Sequence, residues 1–91
     1  MKRGKQMNIL VYGYGENIER QYANCVIQAM KQGLEVKGTY DNMPQLIERI
    51  RNRDIGMVLM DKEIRKEYSE HDLAILTGTL ARYGATAGIV E

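Results

Sequence analysis

Acidic side chains that could bind a metal ion follow two apolar runs of this 91-residue chain. Glu16 comes after the run at residues 8–12, and Asp61 and Glu63 come after the run at residues 55–60. Mg²⁺ is a hard cation that binds proteins mainly through carboxylate oxygens. If the two runs are neighbouring parallel strands, these acids share one edge of a sheet and could hold Mg²⁺ for phosphotransfer or nuclease chemistry.

The spacing of apolar residues predicts the elements that would position these groups. Continuous apolar runs are typical of buried parallel strands, and apolar residues at three- and four-residue steps are typical of one helix face. Asn42 and Ser69 resemble helix caps, and Gly33 and Gly84 follow predicted helix ends. The pattern predicts strands at residues 8–12, 34–40, 55–60 and 85–90, and helices at residues 17–32, 42–52 and 69–83.

The alternation of strands and helices predicts the fold class. A βαβαβαβ order with right-handed crossovers gives a three-layer α/β fold, in which a four-stranded parallel sheet of order 2-1-3-4 has helices on both faces. The ligand crevice of such a sheet lies at the carboxyl ends of the strands, where the strand order reverses. That edge is expected to gather Tyr14, Gly15, Glu16, Asp41, Asp61, Lys62 and Arg65.

Length and composition indicate one domain over residues 1–91, with a basic extension at residues 1–7. The formal net charge of +1 is too small to drive DNA binding, so direct DNA binding is expected to be weak or absent. The single Cys25 cannot form an intramolecular disulfide, which fits a reducing compartment. Because the chain shows no membrane-spanning run and no export signal, we expect a cytoplasmic protein.

Two motifs at the predicted strand ends match known binding sites incompletely. Gly13 and Gly15, with Asp41 after the second strand, match part of a dinucleotide-binding turn. Ile18 stands where the third glycine of that turn belongs. Asp61 resembles the phosphoacceptor of response-regulator receivers, but the turn after the first strand lacks the acidic pair that receivers use to bind Mg²⁺.

The metal interpretation resembles the toprim nucleotidyl-transfer and nuclease domain. That domain has a glutamate after its first strand and an Asp-x-Asp pair after a later strand, much as Glu16, Asp61 and Glu63 are placed here. Two positions depart from its pattern: Asn17 replaces a glycine, and Glu63 replaces the second aspartate.

Three longer stretches carry a resemblance that covers residues 8–90. Residues 12–16 read Tyr-Gly-Tyr-Gly-Glu against Tyr-Ala-Arg-Val-Ser, and residues 61–65 read Asp-Lys-Glu-Ile-Arg against Asp-Arg-Leu-x-Arg. Between them, the chain follows the pattern of large serine recombinases in order and approximate spacing. The matching residues are Ile-Glu-Arg-Gln at 18–21, Cys25, and Gly-Leu-Glu-Val at 33–36. The chain therefore resembles the N-terminal catalytic domain of serine recombinases, the resolvase and invertase family.

The resemblance implies a site whose central residues have been replaced. In that family a serine hydroxyl attacks a DNA phosphodiester, and arginines neutralise the charge that builds on the phosphate. Glu16 stands at the nucleophile position, Tyr14 stands at the first arginine, and Lys62 keeps a charge without the bidentate fork of arginine. The family positions carried over are Tyr14, Glu16, Gln21, Asp61, Lys62 and Arg65, of which Gln21, Asp61 and Arg65 keep the family's residue.

The chain is also truncated relative to the family pattern. The segment between Asn42 and Pro44 omits a loop of the family, and the resemblance implies a long dimerisation helix after the last strand that residues 1–91 do not include. We therefore expect a catalytically inactive, resolvase-like domain of a phage or other mobile element. It would need no cofactor and would act on site-specific recombination through a protein partner or as a homo-oligomer. A Mg²⁺-dependent phosphotransfer or nuclease domain and a plain oligomerisation module remain alternatives.

Overall fold

Parallel strands in the order β2-β1-β3-β4 form the sheet in the computed structural model, which describes residues 8–91. This strand order confirms the prediction from the sequence. The predicted basic extension at residues 1–7 lies outside the described residues. The elements in chain order are β1 Asn8–Tyr12, α1 Ile18–Lys31, β2 Glu35–Tyr40, α2 Met43–Ile50, β3 Met57–Asp61, α3 Ile64–Glu67, α4 Glu70–Arg82 and β4 Thr86–Val90.

The two central strands are apolar because helices cover both of their faces. Tyr12 is fully buried at the end of β1, and Met60 is nearly so beside the end of β3. β1 pairs in parallel with β3, with Val11 opposite Leu59. The loops that follow β1 and β3 are therefore neighbours at one edge of the sheet, as the sequence predicted.

Helix α1 covers one face of the sheet through Cys25 and Ala29, which pack with Ile9 and Leu59. Met30 is an apolar residue of the helix predicted at residues 17–32, but it does not share this buried stripe, since 69% of Met30 is exposed. At about 100° per residue, Met30 lies about 140° around the helix from Cys25. It therefore points to solvent.

Helices α2 and α4 cover the opposite face and begin at the caps that the sequence predicted. The Asn42 side chain accepts a hydrogen bond from the backbone N–H of Gln45 at 3.1 Å, and the Ser69 side chain accepts one from Asp72 at 3.1 Å. These bonds satisfy amides that the first helical turn leaves unpaired. The helices contribute Leu46, Ile50, Leu76 and Leu80 to the larger core.

Helix α3 is a single short turn that the sequence pattern did not predict. Ile64 is fully buried and anchors it, and its carbonyl accepts a hydrogen bond from the N–H of Tyr68 at 3.0 Å. One apolar residue in a charged stretch gives no periodicity, so pattern analysis could not detect this helix. Neither α3 nor any other helix in residues 8–91 has the length and apolar character needed to cross a bilayer.

Candidate functional site at the strand ends

The loop after β1 is held by the buried side chain of Gln21, of which only 1% is exposed. Its Oε1 accepts a hydrogen bond from the backbone N–H of Tyr14 at 3.1 Å. Its Nε2 donates to the carbonyl of Tyr14 at 3.0 Å and to the carbonyl of Glu16 at 2.8 Å. Gln21, which keeps the residue of the recombinase pattern, thus fixes the backbone of the loop, and its polar atoms are occupied.

This loop turns through two residues with positive φ. Gly15 has φ +88°, and a Cβ at that position would overlap the side chain of Glu67. Asn17, which precedes α1, has φ 59°, a conformation that asparagine tolerates better than most residues. The turn leaves the side chain of Glu16 exposed to solvent at the strand-end edge.

Asp61 ends β3 as a buried carboxylate that is 5% exposed. Its Oδ1 accepts a hydrogen bond from the side-chain amide of Asn24, and its Oδ2 accepts one from the backbone N–H of Glu63 at 2.9 Å. Both oxygens therefore accept hydrogen bonds from groups of the chain.

The thiol of Cys25 is affected by this carboxylate. Burial, and after it the charge of Asp61, raises the pKa of the Cys25 thiol to about 12, so the thiol is protonated at neutral pH.

Glu63 faces α1 and pairs with Arg20. The guanidinium Nη1 of Arg20 lies 3.1 Å from Oε2 of Glu63, whose side chain is 12% exposed against 73% for Arg20. The side-chain amide of Asn17 approaches the other carboxylate oxygen at 3.5 Å. Sequence analysis did not single out Arg20 as a site residue, because its partner comes from a distant loop.

Arg65 binds Glu91 through both of its terminal nitrogens, at 3.2 and 2.9 Å. The hydrogen bond from Arg65 holds the pKa of Glu91 below its ordinary value, and Glu91 raises the pKa of Arg65. The side chain of Lys62 is exposed, and no carboxylate in residues 8–91 pairs with it. Of the basic residues predicted at this edge, Lys62 is thus the one whose charge stays available.

Tyrosines occupy the place where the resemblance implies an arginine. The Tyr14 ring, 44% exposed, packs edge-on against Tyr68 with 5.6 Å between the ring centres. The Tyr12 hydroxyl lies 2.8 Å from that of Tyr68, and burial, followed by this hydrogen bond, raises the pKa of Tyr12. Sequence analysis did not identify Tyr68, which lies outside every predicted element.

Asp41 follows β2 and is exposed at the same edge. Burial raises the pKa of the Tyr22 hydroxyl, and the charge of Asp41 adds to this effect. Asp41 thus contributes a negative charge close to the tyrosines of the edge.

The acids proposed as Mg²⁺ ligands do not form a cluster. Glu16 is exposed on its loop, Asp61 binds Asn24, and Glu63 binds Arg20. Within residues 8–91 no three His, Cys, Asp or Glu side chains are grouped to hold a metal ion. Glu16, Asp61 and Glu63 are thus not grouped as a metal site in this part of the chain, because each carboxylate lies in a different local environment.

The strand order and the helices on both faces define a resolvase-like α/β domain. The fold is similar to the crystal structure of a resolvase-family site-specific recombinase from Streptococcus pneumoniae, with a TM-score of 0.78 and 14% sequence identity. The match covers 93% of this chain and 72% of the recombinase chain. No protein-family model and no curated protein matches the sequence. The structural likeness confirms the resolvase-like fold that the sequence resemblance implied.

Proposed function

We propose that this chain is a catalytically inactive, resolvase-like domain that regulates site-specific recombination through protein contacts. The observation that carries the proposal is the pairing of arginines at the strand-end edge with carboxylates of the chain itself. Arg20 binds Glu63, and Arg65 binds Glu91. A DNA phosphate at this edge would have to displace these carboxylates.

The residue at the nucleophile position supports the absence of strand transfer. By resemblance, Glu16 occupies the position of the serine whose hydroxyl attacks DNA, and its carboxylate would repel a phosphate. Tyr14, at the first arginine position, carries no charge that could stabilise the transition state. The edge therefore lacks the nucleophile and part of the charge that the reaction requires.

An apolar groove between α2 and α4 supports a protein partner. The groove has a volume of about 290 Å³ and is lined by Met43, Ile47, Tyr68, Asp72, Ile75, Leu76 and Thr79. Tyr68 also contacts Tyr14, so this surface continues to the strand-end edge. Apolar and acidic groups fit a protein surface better than they fit the phosphate backbone of DNA.

The proposal also includes a cytoplasmic location, an origin in a phage or other mobile element, and no requirement for a cofactor. The location is supported by the single free thiol of Cys25, which is buried. The origin is supported by the recombinase resemblance, and the lack of a cofactor requirement follows from the proposed role as a binding domain.

A plasmid-deletion reporter for a resolvase-family recombinase tests the proposed function. With the domain alone, we expect neither recombined plasmid nor a covalent protein–DNA complex. With domain and recombinase together, we expect a changed yield of recombined plasmid and association of the two proteins in sedimentation. Recombination by the domain alone would contradict its inactivity, and an unchanged yield without association would contradict its regulatory role.

Variants of the domain separate the missing nucleophile from the missing charge. Glu16→Ser should remain inactive, because Tyr14 and Lys62 still lack the arginine side chains of the family. Glu19→Ser serves as a matched control on the exposed first turn of α1. Recombination by Glu16→Ser but not by Glu19→Ser would show that a single side chain separates this domain from an active recombinase.

A further inference from the structure

The two edges of the sheet differ in how they are protected against pairing with another strand. The β2 edge carries Glu35 and Lys37, whose charged groups lie 3.3 Å apart, and its register with β1 shifts between Ile9 and Leu10. Charges and irregularities of this kind block edge-to-edge association. The β4 edge, Thr86–Val90, contains no charged residue.

The backbone of β4 has hydrogen-bonding groups that face away from β3. The N–H of Thr86 donates to Gly56, and the carbonyl of Val90 accepts from Lys62, so both face the β3 side. Because backbone direction alternates along a strand, the N–H and C=O groups of Ala87 and Ile89 face the open side. No strand in residues 8–91 lies beyond β4 to bind them.

On the same side of the molecule, helix α4 presents a flank whose one charged residue, Glu70, lies in the first helical turn. Thr79 and Ile75 line the groove toward α2, so the opposite flank of α4 faces beyond β4. That flank carries Leu73, Thr77 and Ala81 at four-residue steps, and both Thr77 and Ala81 are exposed. We call this flank, with the outer edge of β4, the β4/α4 side.

The strand and the helix flank share a common midpoint. Gly88 lies at the centre of β4, about 10 Å along the strand from Ala85. The same length of helix, about six residues, reaches back from Tyr83 to Thr77. Thr77 therefore lies level with a two-fold axis that passes through Gly88 perpendicular to the sheet.

We propose that the β4/α4 side binds a second copy of this chain, with the two β4 strands antiparallel about Gly88. Ala87 then lies opposite Ile89 of the second copy, and each such pair exchanges both of its backbone hydrogen bonds. The two α4 flanks pack against each other over the joined strands. This inference rests on the proposed function only in assigning the domain a role in protein contacts.

Self-complementarity of β4 favours a second copy over an unrelated strand. In this register Thr86 faces Val90 of the second copy, so β-branched side chains meet and no like charges are opposed. Gly88 meets its own copy at the axis, where neighbouring Cα atoms approach most closely and a residue without a side chain fits best. The residues that must pair are thus all uncharged and compatible with their symmetry mates.

Sedimentation equilibrium of the full chain, with two matched lysine substitutions on α4, tests the interface. We expect a concentration-dependent dimer whose dissociation constant rises about tenfold or more in Thr77→Lys, because two lysines then meet near the axis. Ile75→Lys changes a 56% exposed residue on the other flank and should leave the dimer intact. A chain that stays monomeric at NMR concentrations, or a dimer broken by Ile75→Lys and not by Thr77→Lys, would overturn the proposal.

Residue-resolved amide exchange tests the strand register independently of α4. As the dimer forms, exchange of the Ala87 and Ile89 amides should slow, whereas the Gly88 amide faces β3 and should be protected in monomer and dimer alike. If the Ala87 and Ile89 amides of the wild-type dimer exchange as fast as those of the Thr77→Lys variant, the proposed strand pairing is overturned. None of these outcomes depends on a recombinase, so failure here is distinct from failure of the reporter experiment.

Discussion

The strand-end edge and the β4/α4 side differ in what their polar groups bind. At the strand ends, Gln21 binds the loop backbone and Asp61 binds Asn24, so the buried polar atoms are satisfied within the chain. On the β4/α4 side, the backbone groups of Ala87 and Ile89 face outward. The region that the recombinase resemblance marks for chemistry therefore stabilises loops here, whereas the β4/α4 side has backbone groups that no strand in residues 8–91 binds.

The largest effect expected at the strand ends is on stability, in Gln21→Ala. This change removes the three hydrogen bonds that hold the β1 loop and leaves a cavity. We expect the free energy of unfolding to fall by about 3 kcal/mol. Urea denaturation followed by circular dichroism measures this free energy. Gln28→Ala on the same helix is the control and should change the free energy of unfolding by less than about 0.5 kcal/mol. Equal effects of the two changes would show that Gln21 does not organise the loop.

A smaller loss of stability is expected for Asp61→Asn. An asparagine amide at this position accepts hydrogen bonds from Asn24 and from the N–H of Glu63 less well than the two carboxylate oxygens do. We therefore expect the free energy of unfolding to fall by about 1.5 kcal/mol. Asp41→Asn is the matched control, because Asp41 is an exposed acid at the end of the neighbouring strand. If Asp61→Asn were as stable as Asp41→Asn, the buried carboxylate would be free for a role other than structure.

The fold was predictable because apolar pattern and turn chemistry agreed along most of the chain. The runs at β1 and β3 and the caps Asn42 and Ser69 each gave a local signal, and right-handed crossovers then limited the strand order. The position of Met30 was not predictable in the same way, because an apolar residue at the margin of a helical stripe fits either side. Its exposure depends on how α1 is rotated over the sheet.

The site was less predictable because its decisive contacts join residues that are far apart in sequence. Arg20 with Glu63, and Arg65 with Glu91, have no local pattern that reveals their pairing. The sequence identified Glu16 at the nucleophile position only through the resemblance. It did not show that the neighbouring arginines are already paired.

Releasing the paired arginines should produce weak anion binding at the strand ends. In Glu63→Gln with Glu91→Gln, Arg20 and Arg65 lose their carboxylate partners, and we expect weak, saturable shifts of their NMR signals with inorganic phosphate. The measurement is made near neutral pH, because Arg65 lowers the pKa of Glu91 and the wild-type pair is lost only when pH falls below the usual range of a glutamate. Glu35→Gln, which releases Lys37 at the β2 edge, is the control. Saturable shifts of the Arg20 and Arg65 signals in the wild-type chain would contradict the view that these two arginines are satisfied internally.

The smallest expected effect is that of Mg²⁺. Both oxygens of Asp61 accept hydrogen bonds, and Glu63 is paired with Arg20. A cation could bind the exposed Glu16 directly, but it would have to break these contacts to bind Asp61 or Glu63 as well. We expect no saturable change in the amide signals of Glu16, Asp61 or Glu63 when MgCl₂ is added at constant ionic strength. Saturable shifts that disappear in Glu16→Gln would instead show that the acids can rearrange around a metal ion. Such an outcome would give the strand-end edge a binding capacity of its own and would make metal-dependent phosphotransfer, until then an alternative, the leading interpretation.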